Sequence, residues 1–192
     1  MLSNLRNKLR NIFLKIFLPV IKILVKMGIK SNTITFIGFF FSLISGFLIA
    51  KGNFLGAGLL FFVSGLFDLL DGSLARETNT VSKKGALLDS TMDRLSEGSI
   101  FFGLLIYFFS QHGLLCISLV FCTFLISYMV SYVRARAEGL GFKCDSGWAT
   151  RFERMLIMGL FLIFKKPEIG LWILCLIGII TVIQRIRDVL RM

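Results

Sequence analysis

The sequence predicts an all-α polytopic membrane protein with six transmembrane helices and an amphipathic juxtamembrane helix before them. Three observations carry that prediction. The chain of 192 residues is 56% hydrophobic, with a mean hydropathy of +0.82, more apolar surface than a soluble domain of this size can hide. Six uncharged runs recur along it, at residues 34–50, 54–67, 100–111, 114–133, 155–164 and 169–184. The basic excess, 22 Lys and Arg against 11 Asp and Glu, lies between those runs, which excludes a nucleic-acid binder with a polar basic face.

Residues 1–30 form the first unit. Leu2, Leu5, Leu9, Ile12, Ile16, Val20, Ile23 and Met27 recur at spacings of three and four, with Arg6, Lys8, Arg10, Lys15, Lys22 and Lys26 elsewhere. That pattern predicts a helix lying on an anionic leaflet. Residues 31–192 form the membrane domain. A helix needs about 20 residues to cross the hydrocarbon core, so several runs reach that length only with polar extensions. The second grows forward through Asp68 and Asp71 towards Arg76, the third backward from Ile100 to Gly85, and the fifth backward from Met155 towards Gly147. Three helices thus carry charge on one side, around a cavity, since lipid does not tolerate it.

Positive charge sets the orientation. Only Lys51, Lys165 and Lys166 fall on the side opposite the termini, against the other 19 of the 22 basic residues. Both termini and the acidic end of the cavity are expected on the cytoplasmic side of the cell membrane.

The acids are the informative part. Asp68 and Asp71 are spaced i, i+3 and Asp89 and Asp93 i, i+4, so each pair shares a helix face. The short connection 77–84 makes the two helices antiparallel neighbours whose acids converge. Four carboxylates so placed repel strongly unless divalent cations neutralise them. Hard oxygen ligands without nearby His or Cys suit two Mg²⁺ ions, or Mn²⁺, and such pairs clamp phosphate oxygens. Gly72 and Ala75 keep the Asp68–Asp71 face flat for a bulky ligand, Arg76 offers a fork for phosphate, and Ser82 offers a hydrogen bond. The competing readings are structural ion pairs or the acidic path of a cation transporter.

At these residues the sequence resembles the CDP-alcohol phosphotransferase family, matching D-x2-D-G-x2-A-R-x8-G-x3-D-x3-D at Asp68, Asp71, Gly72, Ala75, Arg76, Gly85, Asp89 and Asp93. The resemblance implies a six-helix fold, a homodimer, and two metals held by the four aspartates, with Asp93 also the base on the acceptor hydroxyl. It implies membrane lipids as surroundings, CDP-diacylglycerol as donor, CMP as leaving group, and no nucleic-acid partner. By the same resemblance Ser31, Asn32 and Thr33, in a turn akin to the family's Pro-Asn-x-x-Thr, join Gly72, Arg76 and Ser82 around CDP. A plain helix N-cap is the alternative for that turn.

Arg134, Arg154 and one of Arg185 and Arg187 are candidates to meet in the cytoplasmic cavity, which favours an acceptor bearing phosphate. The runs Ser131–Glu138, Arg151–Arg154 and Leu88–Glu97 resemble the phosphatidylinositol phosphate synthase branch, which implies that Ser131, Arg134, Arg154 and Arg187 bind the phosphate of inositol phosphate. Glycerol 3-phosphate is the alternative acceptor, and an idle lipid-binding scaffold the remaining alternative class.

Overall fold

A computed structural model describes residues 17–111, 113–144 and 146–191. All regular structure among the described residues is helical: α1 (17–26), α2 (Ser31–Ala50), α3 (Phe54–Glu77), α4 (Lys83–Gln111), α5 (Leu114–Gly139), α6 (Arg151–Ile163) and α7 (Pro167–Leu190). Four of these, α2, α3, α5 and α7, are long and apolar enough to cross a membrane, so the chain is a multi-pass membrane protein. The other two of the six expected crossings do not meet that standard alone. The first half of α4 carries Lys83, Lys84, Asp89, Asp93, Arg94 and Glu97. The 13 residues of α6 rise about 20 Å, less than the hydrocarbon core.

The helices close into a ring in which α2 packs on α3 and α4, α4 on α5, α5 on α7, α7 on α6, and α6 on α3. This corrects the expectation that α3 and α4 lie side by side. Helix α2 packs against both, and α3 and α4 converge at their acidic ends. The reason lies in the α2–α4 crossing. A Cβ on Gly46 would run into the Ser99 carbonyl, and one on Gly103 into the Gly46 carbonyl, so only glycine lets these backbones touch.

Away from the acidic end the ring is filled by Phe61, Phe101, Leu104, Phe108, Leu162 and Leu171, all buried. At the acidic end a smaller cluster joins Ile21 of α1 to Ile34, Leu70 and Leu74. Thus α1 docks through Ile21, flanked by Phe17 and Leu24, and leaves Val20, Ile23 and Met27 of the predicted apolar stripe exposed. The remainder of that stripe, in residues 1–16, lies outside the described residues.

Helix α6 begins at Arg151 and not at Gly147, a second correction. Gly147 adopts φ +114°, which a helix cannot use. Side chains of α7 take up the backbone here instead: Thr181 Oγ1 accepts from the Ala149 N–H at 3.0 Å, and Arg185 Nε donates to the Ser146 carbonyl at 2.9 Å. Irregular backbone inside a membrane protein persists when buried groups satisfy it in this way.

Candidate active site

Three of the four signature acids meet. Asp68, Asp71 and Asp89 each present a carboxylate oxygen within 4.8 Å of the others, from the end of α3 and the first turns of α4. Asp71 is buried, and Thr35 Oγ1, reaching from α2, donates to its Oδ2 at 2.6 Å. Asp89 Oδ1 is buried with no hydrogen-bond partner. An orphaned acceptor beside two further carboxylates is what a hard cation would satisfy, so the donor set fits Mg²⁺ or Mn²⁺.

Asp93 stands one turn beyond Asp89 and joins the group through Arg151, the first residue of the Arg151–Arg154 run, for which the sequence suggested no role of its own. Arg151 Nη1 lies 2.7 Å from Asp68 Oδ2 and 2.8 Å from Asp93 Oδ1. It projects from the first turn of α6 across the ring. A signal for it was present, since Arg151 precedes the buried run Arg154, Met158 and Leu162 by one helical turn, on the same face.

A cavity of about 590 Å³ is lined by residues that include Ser31, Asn32, Gly72, Arg76 and Ser82 together with two of the acids, Asp71 and Asp89. Ser31 Oγ donates to the Asp71 carbonyl at 2.9 Å, tying the start of α2 to α3. Ser82 Oγ accepts from the Gly85 N–H at 3.0 Å and so caps α4 while facing the cavity. Thr33 is exposed and absent from the lining, where Thr35 stands instead. The alternative for this turn, a side-chain N-cap, is not what the residues provide: the N-cap position is Lys30, with no side-chain hydrogen bond.

The predicted acceptor residues separate. Arg154 is buried with every guanidinium nitrogen engaged: Nε and Nη2 pair with Glu97 at 2.9 and 3.2 Å, Nη1 donates to the Ala149 carbonyl at 3.1 Å, and Nη2 reaches Ser131 Oγ at 3.3 Å. Glu97 also accepts from Ser127 Oγ at 2.5 Å. Arg134 is exposed and pairs with Glu138 at 2.8 Å, one turn on. Arg187 is exposed too, whereas Arg185 turns inward and is buried, donating to the carbonyls of Ser146 and Val130. The buried stripe Leu171, Leu174, Gly178, Thr181 and Arg185 has helical spacing, so the inward member of the pair was readable from phase.

Comparison with known proteins agrees with this geometry. The family profile described as CDP-alcohol phosphatidyltransferase matches residues 29–184. The chain belongs to the CDP-alcohol phosphatidyltransferase family. It is therefore an enzyme, a transferase of phospholipid biosynthesis, and the transporter and scaffold readings give way. The archaetidylinositol phosphate synthase of Pyrococcus horikoshii is 39% identical over 189 residues, spanning 98% of this chain and 96% of that protein. The phosphatidylinositol phosphate synthase of Mycobacterium tuberculosis is 35% identical over 180 residues, spanning 86% of this chain and 82% of its own. Crystal structures of that mycobacterial enzyme superpose with a TM-score of 0.83. One, in complex with manganese and citrate, is 28% identical and covers 89% of this chain and 87% of its own; the other, with CDP-DAG bound, is 29% identical and covers 91% and 94%.

Proposed function

We propose that this family member transfers the phosphatidyl group, or an equivalent lipid phosphate, from a CDP-linked lipid to the hydroxyl of inositol phosphate, releasing CMP. The observation that carries the reading is the cavity lined jointly by Ser31, Asn32, Gly72, Arg76 and Ser82 and by the carboxylates Asp71 and Asp89. A nucleotide diphosphate held there has its phosphates against the carboxylate cluster. The two relatives are named for different lipids, archaetidyl in one and phosphatidyl in the other, and for the same inositol phosphate. That agreement supports inositol phosphate as acceptor and leaves the donor lipid open between CDP-diacylglycerol and its archaeal counterpart.

In this reading Asp68, Asp71, Asp89 and Asp93 hold two Mg²⁺ ions, with Mn²⁺ a substitute, as the manganese in the mycobacterial structure suggests. When bound, these ions supply positive charge to the phosphate oxygens. Arg76 holds the diphosphate by its fork, and Ser31, Asn32, Gly72 and Ser82 seat the rest of the CDP. Asp93 takes the proton from the acceptor hydroxyl. That oxygen bonds to the phosphorus on the lipid side, the bond from this phosphorus to the bridging oxygen breaks, and CMP leaves with the bridging oxygen. Arg185, with Arg134 and Ser131 nearby in the fold, is the inward cation best placed for the acceptor phosphate, and Arg154 supports it from its pair with Glu97.

The same reading places six crossings in the membrane, α4 and α6 included, with termini and acidic end cytoplasmic, residues 1–30 as the interfacial unit, residues 31–192 as the membrane domain, and a homodimer as the working form. The experiment that tests it supplies purified protein with Mg²⁺, labelled CDP-diacylglycerol or CDP-archaeol, and inositol phosphate, free inositol or glycerol 3-phosphate. CMP release is expected with inositol phosphate. Release with glycerol 3-phosphate alone, or with no acceptor, would overturn the assignment.

A further inference from the structure

Arg151 stands where a cation is wanted. A single nitrogen, Nη1, touches Asp68 of α3 and Asp93 of α4 at 2.7 and 2.8 Å. Bridging two carboxylates from two helices is the task of a shared metal ion, here done by a guanidinium tethered to α6. The other half of the cluster is different. Asp71 is partnered by the neutral Thr35 hydroxyl, and Asp89 Oδ1 has no partner. The acidic centre is thus divided into a triad of Asp68, Asp71 and Asp89 awaiting positive charge, and a pair, Asp68 and Asp93, already supplied with it.

We propose that Arg151 is a resident counter-cation that holds Asp93 to Asp68 and yields its place when a second divalent ion binds, so that the triad loads first and the Asp93 side second. The physical basis is competition: two cations sharing the same carboxylate oxygens repel at contact distance, and each satisfies the oxygens the other would use. Arg151 is in this sense a positioning residue. The inference rests on the metal reading of the preceding subsection.

Its test reads metal binding and not turnover. Full-length protein in detergent is titrated with Mn²⁺ by calorimetry and by the electron paramagnetic resonance signal of free Mn²⁺, for wild type, Arg151→Gln and Arg151→Lys. Wild type is expected to bind in two unequal steps. In Arg151→Gln the weaker step should tighten at least about tenfold, a modest share of what removing a charge at contact distance allows. The metal-free Tm should fall and Mn²⁺ should recover more of it than in wild type, with Arg151→Lys intermediate. A variant that folds only in the presence of Mn²⁺ supports the proposal; one that fails to fold even with Mn²⁺ overturns it, because a displaced counter-ion is dispensable once displaced. Unchanged or weaker Mn²⁺ binding in Arg151→Gln overturns it alone. Absence of Mn²⁺ binding in wild type overturns it together with the metal reading.

Discussion

The two ends of the polar interior treat charge in opposite ways. Around Glu97 and Arg154 every guanidinium nitrogen is engaged: Arg154 makes four hydrogen bonds, to Glu97, Ser131 and the Ala149 carbonyl, and Glu97 takes a further one from Ser127. Around Asp68, Asp71, Asp89 and Asp93 four carboxylates share one threonine hydroxyl, the Arg151 nitrogen and a 3.5 Å contact from Arg94 to Asp93, and one oxygen of Asp89 is left bare. Desolvated charge is costly unless paired. The engaged pair accordingly reads as architecture, joining α4, α5 and α6, and the under-partnered cluster as a place kept for ligands.

That contrast can be broken first at Asp93. Asp93→Asn should lower the rate of CMP release by about 10²- to 10⁴-fold, the range for loss of a general base, while CDP-lipid binding measured in parallel survives. Next, Glu97→Leu leaves Arg154 buried without a counter-charge and should cost about 3–5 kcal/mol in thermal or denaturant unfolding. Adding Arg154→Met to it should recover a large part of that loss, because removing both partners is far cheaper than removing one. Full stability of Glu97→Leu would show that the pair holds nothing together. The smallest effect separates the two arginines of α7. Arg185→Lys should raise KM for inositol phosphate by about tenfold, the value of one charge-assisted hydrogen bond, and Arg187→Lys should leave KM within error.

How much of this could be read from the chain divides along the same line. The aspartates were legible because fixed spacings of three and four on a helix dictate a common face whatever surrounds it; the short connection 77–84 brings the acidic ends of α3 and α4 together, although α2 packs against both helices. Gly72, Arg76 and Ser82 do line one cavity, and it was the family resemblance that grouped them around CDP. Contacts that jump far along the sequence were not legible. Arg151 reaches Asp68 across 83 positions; helical phase with Arg154 marks it as inward-facing, and its acidic partners on α3 and α4 depend on the tertiary packing. The insertion of α2 between α3 and α4 depends on Gly46 and Gly103 finding each other. The late start of α6 depends on Thr181 and Arg185 of α7 supplying hydrogen bonds to a segment that sequence alone would continue as helix. Arg185 is the intermediate case: the residue pattern left it open beside Arg187, and its helical phase with Leu174, Gly178 and Thr181 marks it as the inward-facing member of the pair.

The most direct measurement is crystallographic: crystals grown with Mn²⁺ and data collected at the manganese absorption edge. An anomalous peak should lie among the carboxylates of Asp68, Asp71 and Asp89 and vanish when Asp89 is replaced by Asn. A peak elsewhere in the chain, or none with the three side chains still gathered, would contradict the view that these acids are gathered to hold metal.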